Sequence, residues 1–244
     1  MNKIFEHLKA EWIRYGFETL VVIVGILIAF YLSNWAENQR EWRKEVAILQ
    51  EIKSDLEVSL KDLNEDKMIM DSAYNSTARV VDFLKNTENV SEGMASDFAN
   101  LISFSFFFPQ TGGYESLKSA GLEIISSDSL KLMITNVYEL GIKRIKSKES
   151  IRNAKLLLFP FFKENFSLIH KEDVKKSDGE ISYDGNISNE FLAYPIDYSR
   201  LQKSSEFNIL LHQSIIERSY FVRDYKRLQI DIINLIKMIN RNIN

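Results

Sequence analysis

Residues 19–36, TLVVIVGILIAFYLSNWA, are 18 consecutive positions without a formal charge. As a helix they would span about 27 Å, close to the ~30 Å hydrocarbon core of a bilayer. Aromatic side chains stand at both ends, with Trp12, Tyr15 and Phe17 before the run and Tyr31, Trp35 and Trp42 around its exit. That is the interfacial belt expected of a membrane span. A buried core helix seldom carries so long an uncharged run with such flanks. A cleaved signal sequence would have a shorter apolar region ending in a small-x-small site, and Ser33-Asn34-Trp35 is a poor one. Residues 17–36 are therefore predicted to be a transmembrane helix, retained as an uncleaved signal anchor.

Working outward, residues 1–16 set Ile4, Phe5, Leu8, Trp12 and Ile13 at helical spacing, which predicts an amphipathic juxtamembrane helix. Lys3, Lys9 and Arg14 precede the span, and Arg40, Arg43 and Lys44 follow it, so the basic residues balance. The short leader and free amino terminus favour an N-terminus inside. On the span itself Glu18, Val22, Gly25, Ala29 and Ser33 fall on one stripe at 100° per residue. Gly25-x-x-x-Ala29 is a small-x-x-x-small pattern that lets two helix backbones approach, although an ordinary lipid-facing glycine gives the same pattern. Glu18 at the membrane edge either snorkels to water or pairs with Arg14, four residues earlier.

Beyond the span there is no Gly or Pro from Glu37 to Asn86. With Val46 as a and Leu49 as d, the heptad positions are Val46, Leu49, Lys53, Leu56, Leu60, Leu63, Lys67, Met70, Tyr74, Thr77, Val81 and Leu84. This predicts a stalk helix over 37–90 with a narrow apolar seam. The seam could form a parallel coiled coil between copies or pack on later helices of its own chain, and lysines at a favour the second. Residues 91–244 are expected to form a helical bundle domain completed by the stalk. Ser96-Asp97 is read as the cap of a helix through Phe98 to Phe108, stopped by Pro109 and Gly112-Gly113. Ser127-Asp128 is read as the cap of another, reaching toward Phe162 with Pro160 kinking or ending it. Residues 171–190 are polar and rich in turn residues, with a minor short hairpin expected near 180–187. A last long helix runs from Ser204 or Ser205 nearly to Asn244, its charges excluding a second span. The expected fold is all-α and single-pass.

Composition agrees. Nine Gly and three Pro leave most of the 244 residues free of helix breakers, and 27% charged residues argue against a polytopic transporter. The net charge of −3 lacks the basic excess that sequence-independent nucleic-acid binding needs, so no nucleic-acid partner is expected. The absence of cysteine removes disulfides, thiolate nucleophiles and zinc–thiolate sites. His7, His170 and His212 share no metal-ligand spacing, and neither a metal nor a cofactor is expected.

The run Phe17–Ala29, continued by Ser33-Asn34-Trp35 and Glu37, resembles the membrane signature of a family of uncharacterised single-pass bacterial proteins, a domain of unknown function. The family pattern reads G-E-I-x-L-V-V-I-G-I-L-I-A-L-x-I-N-N-W-N-E, and Glu18 and Gly25 keep its spacing. Residues Gly113–Gly121, GYESLKSAG, are similar to a second family motif, Y-x-x-L-x-x-S-G, with Ala120 inserted before the glycine. The resemblance implies an inner membrane of a Gram-negative cell with the body in the periplasm. It implies no activity.

On these grounds the chain is expected to be a non-enzymatic, membrane-anchored helical protein that self-associates or holds a membrane protein partner, with the lipid bilayer as its surroundings. A ligand-sensing bundle is the alternative, in which Phe104, Phe106, Phe107, Phe108 and Tyr114 line a pocket rather than the core. An oligomeric pore is a further one, poorly served by an apolar stripe. No catalytic constellation is present in the sequence.

Overall fold

The computed structural model describes residues 2–85, 90–151, 154–171 and 190–243. Helix α1 (Asn2–Phe83) is unbroken and takes in leader, span and stalk together. At 1.5 Å per residue its 82 residues extend about 120 Å. The side chains that would form the amphipathic face at Ile4, Phe5, Leu8 and Ile13 lie outside the described residues. From Arg14 through Asn38 every residue is exposed, and burial begins at Glu45. One described helix is thus long and apolar enough to cross a membrane, and none of the described residues of the body covers its apolar stretch.

The fold is all-α apart from one small sheet. After α1 come α2 (Glu92–Asn100), α3 (Gly112–Ala120), a 3-10 turn (Leu122–Ile124) and α4 (Asp128–Thr135). A π-helical stretch (Asn136–Ile142) leads into α5 (Lys143–Ile151) and then α6 (Ala154–Asn165). Strands β1 (Phe166–His170) and β2 (Phe191–Pro195) pair antiparallel, with Leu168 opposite Ala193. The main-chain N–H of Lys171 donates to Glu190 O, so the polar segment forms the long connection of this pair. The hairpin expected near 180–187 lies outside the described residues. Helices α7 (Tyr198–Gln202) and α8 (Ser205–Ile243) complete the chain.

Helix α8 lies antiparallel on the outer half of α1. Arg218 reaches Ala73 and Thr77, and Gln229 reaches Asn64 one stretch further back. Both helices follow a seven-residue repeat. On α8 the buried positions on this repeat are Phe207, Leu211, Ser214, Arg218, Phe221, Tyr225, Leu228, Ile232, Leu235 and Ile239, with Asp224 buried beside it. The seam is intramolecular, the reading that the lysines favoured.

Its phase on α1 differs from the expected one. Leu49, Leu56, Leu63, Met70 and Thr77 are buried as expected, but the companion column is Glu45, Ile52, Ser59, Asp66, Ala73 and Val80. Lys53 and Lys67 stand one position outside it and pair with Glu57 and Asp71. The apolar residues Leu60, Tyr74 and Val81 drew the expectation onto the wrong column, while three members of the true one are polar. The same holds at the start of α8, where Ile209 and Ile216 face outward.

The helix expected over 98–108 also gives way. Ser91, not Ser96, caps α2 by accepting the N–H of Met94, and α2 ends at Asn100. Asp97 instead takes two hydrogen bonds from Arg79, at 2.6 and 2.7 Å. Residues 103–111 form a non-helical strap along α1. Pro160 sits inside α6 without ending it.

Two apolar cores result. One gathers α1 up to Met70, the strap, α3 to α5 and the end of α8. The other holds Val80, α2, α6, both strands and the start of α8. Stacked and tilted rings fill the second, among them Phe162–Phe166 at 4.5 Å and Phe161–Phe207 at 5.1 Å.

Candidate functional site

The strap needs partners for backbone groups that a helix would have satisfied internally. Helix α1 supplies them from one face. The hydroxyl of Ser59 accepts the N–H of Gln110 at 2.8 Å, and Asp62 accepts that of Phe108 at 2.9 Å. Asp55 accepts Gly113 N–H at 2.7 Å, and Glu45 accepts Ser126 N–H at 3.0 Å. Asp66 accepts the hydroxyl of Ser105. From the other side Glu149 of α5 accepts Phe107 N–H at 2.8 Å, and the ammonium of Lys146 donates to Phe107 O at 2.9 Å. Polar residues in the seam of α1 are thus a built ladder for irregular backbone.

Two of the buried charged groups stand out by their surroundings. Arg218 is wholly buried and donates to Ala73 O, Thr77 Oγ1, Leu101 O and Ser103 O, with no carboxylate among these partners. Burial pulls its pKa down to about 9, which leaves it charged at neutral pH. Together with Asn100, which donates to Ser72 and Ser76, it makes a polar layer between the two apolar cores. Asp66 is the second. Burial first, then Asp62, Glu149 and Glu65 nearby, push its carboxyl up to about 7 against the Ser105 hydrogen bond. Its Oδ2 has no hydrogen-bond partner among the described residues.

Glycines set how closely these parts approach. A Cβ on Gly113 would lie 2.5 Å from Ile52 N, so α3 begins against the backbone of α1. Gly121 ends α3 at φ +96°, a conformation that L side chains rarely adopt. The inserted Ala120 leaves this turn in place.

Of the expected pocket aromatics, Phe104, Phe107 and Tyr114 are buried in the core, while Phe106 and Phe108 are exposed. Tyr114 stacks on Tyr138 at 4.4 Å, and its hydroxyl donates to Glu139 at 3.1 Å. Burial, aided by Glu139, pushes the Tyr114 hydroxyl up to about 12. None of the five lines the cleft of about 230 Å³ between the π-helical stretch and α8. That cleft is bordered by Asn136, Gly141, Arg144, Leu228, Arg227 and Asp231. On the span, Glu18, Val22, Gly25, Ala29 and Ser33 are all exposed, and a Cβ on Gly25 would meet nothing within 4 Å. Arg14 pairs with Glu18 at 3.4 Å, and both stay in the open. Trp12, Tyr15, Tyr31, Trp35 and Trp42 are exposed around the same stretch. Among the described residues no cluster of three His, Cys, Asp or Glu could hold a metal ion.

Sequence reading missed Asp66, Glu149 and Arg218. For Arg218 a signal was present, since it falls on the same seven-residue column as Leu211, Tyr225 and Ile232.

No curated protein and no solved structure matches the chain. A family match covers residues 18–159, from Glu18 at the span through the stalk helix, the strap and α3 into α6, and leaves α8 outside. With more than half of its length matched, this chain belongs to DUF6090, a family of unknown function.

Proposed function

We propose that the protein is a non-enzymatic, membrane-anchored helical module, held in the bilayer by residues 17–36 and presenting its body for self-association or for a membrane partner. One observation carries this reading. A single unbroken helix is exposed from Arg14 to Asn38, uncharged from Thr19 to Ala36, and becomes the central helix of the body from Glu45 onward. So large an uncovered apolar stretch calls for lipid or another helix around it. Because the helix has no break at the membrane exit, a tilt or rotation of the span carries directly into the body. The open stripe through Gly25 and Ala29 supports a second helix as neighbour. In this reading the N-terminus lies inside and the body in the periplasm of a Gram-negative cell, an orientation supported by the likeness of residues 17–37 to the family's membrane signature.

Membrane fractionation with an alkaline wash tests the anchor, and light scattering in detergent tests the assembly. The protein should stay with the membranes and run above monomer mass, and Gly25→Leu with Ala29→Leu should lower that mass. Release by the wash refutes the anchor. A strict monomer with no co-purifying partner refutes the module. A topology reporter fused after Asn244 tests the side occupied by the body.

A ligand-sensing bundle is the second reading, favoured by the cleft beside the π-helical stretch, since such stretches are frequent at functional sites. Its borders carry Arg144, Arg227 and Asp231, which suit a small zwitterion. A thermal-shift screen with amino acids and small carboxylates tests it. Absence of any concentration-dependent stabilisation refutes it.

A further inference from the structure

Three carboxylates meet where the strap crosses α1 and α5. Asp62 and Asp66 come from α1, one turn apart, and Glu149 comes from α5. Glu65 lies next to Asp66 on α1 and adds a fourth negative charge to its field. Glu149 has cationic and neutral partners, taking Lys146 at 2.8 Å and the Tyr225 hydroxyl of α8 at 3.2 Å. Asp62 is half-buried and reaches solvent. Asp66 has neither advantage. It is 4% exposed and accepts the Ser105 hydroxyl through Oδ1, while Oδ2 has no hydrogen-bond partner among the described residues. The charged groups that act most on it are the carboxylates Asp62, Glu149 and Glu65, with the Tyr225 hydroxyl also close by. An ionised carboxylate so placed is costly, whereas a neutral one fits.

We propose that Asp66 is a proton-operated latch on the strap. With Asp66 protonated, residues 103–110 lie closed on α1. When it loses that proton to water, the carboxylate is repelled by Asp62 and Glu149 and turns to solvent. Ser105 then lifts away, loosening the main-chain bonds of Phe107 to Glu149 and of Phe108 to Asp62. Phe104 and Phe107, both buried when the strap is closed, become intermittently accessible. The same surroundings that make the ionised form costly bring the change into the neutral range, near pH 7. Low pH therefore closes the strap and higher pH opens it, the reverse of the usual acid-induced loosening.

The test is amide hydrogen exchange on the full chain in detergent micelles, compared at pH 6 and pH 8 after correction for the intrinsic exchange rate. Peptides covering residues 103–110 should lose protection by about tenfold at pH 8, and at both pH values they should exchange well before peptides from residues 225–239 of α8. Asp66→Asn, neutral at both pH values, should remove the difference. Equal protection of the wild-type strap at the two pH values overturns the proposal. So does an Asp66→Asn protein that keeps the wild-type difference. Should that variant not accumulate in folded form, the wild-type comparison decides alone.

Discussion

Replacing Gly113 with alanine tests how tightly α3 is seated on α1. The added Cβ would lie 2.5 Å from Ile52 N, 2.8 Å from Glu51 C and 2.9 Å from Ile52 Cα. These atoms are helix backbone and cannot swing aside as the end of a side chain can. Reaching an ordinary contact of about 3.5 Å moves the start of α3 by roughly 1 Å. The Gly113 N–H···Asp55 bond, 2.7 Å long, would then open past hydrogen-bonding distance. Overpacking of this kind costs about 1–3 kcal/mol, and a lost bond to a charged group about 1.5–3 kcal/mol. The sum is about 4 kcal/mol, which for a chain of this size lowers Tm by about 10 °C. The adjacent glycine provides the control. At Gly112 a Cβ would meet Asp55 Oδ2 at 3.5 Å and Glu51 Oε1 at 3.7 Å, which are ordinary contacts. Gly112→Ala should be neutral or stabilising by up to about 1 kcal/mol through its less flexible unfolded chain. Thermal unfolding of both variants in detergent, followed by far-UV circular dichroism, decides the matter. A Gly113→Ala protein within about 1 kcal/mol of wild type refutes the reasoning. Equal damage from the two substitutions refutes it as well.

Other substitutions probe the buried polar groups and the turn. Arg218→Met should destabilise by about 3–5 kcal/mol in denaturant titration, because the carbonyls of Leu101 and Ser103 would lose their donor in a dry site. Arg218→Lys should recover little of that, since one ammonium cannot span the acceptors on α1 and beyond α2; a variant as stable as wild type would count against the polar layer. Asp66 makes stability depend on pH in a definite direction. Its pKa is raised in the fold to about 7 from 3.8, so between these values the folded chain holds a proton that the unfolded chain has lost. This contribution to stability therefore falls as pH rises from about 4 to about 7 and is flat above. Denaturant midpoints at pH 5 and 7.5 should converge in Asp66→Asn relative to wild type. Gly121→Ala, forced to φ +96°, should cost about 1–3 kcal/mol by strain alone, measurable as a lowered Tm.

Much of the fold was legible from local pattern. The 18 uncharged residues, the stretch without Gly or Pro, and the sevenfold repeats each mark a helix without reference to any partner. Ser127 caps α4 as expected, its hydroxyl accepting Leu130 N–H, and Ser204 does the same for Phe207 in α8. What was illegible was the phase of the seam. Leu60, Tyr74 and Val81 look like core because they are apolar, whereas Ser59 and Asp66 look like surface. The strap reverses this by bringing backbone N–H and hydroxyl groups that need acceptors, and burial follows the acceptors. The aromatic run Phe104–Phe108 misled for the same reason. In isolation it favours a helix up to Pro109, and only α1 and Glu149 together provide partners that make an extended course the better one.

Sequence alone therefore determined the two long helices, that the fold is all-α, and that one helix is apolar enough to cross a membrane. Those properties depend on hydrophobicity, missing helix breakers and capping, which neighbours in the chain express. Tertiary structure alone decided which face of α1 is core, where the strap runs and why Asp66 and Arg218 are buried. Those depend on where orphaned backbone groups find partners, and their partners lie between 39 and 145 residues away.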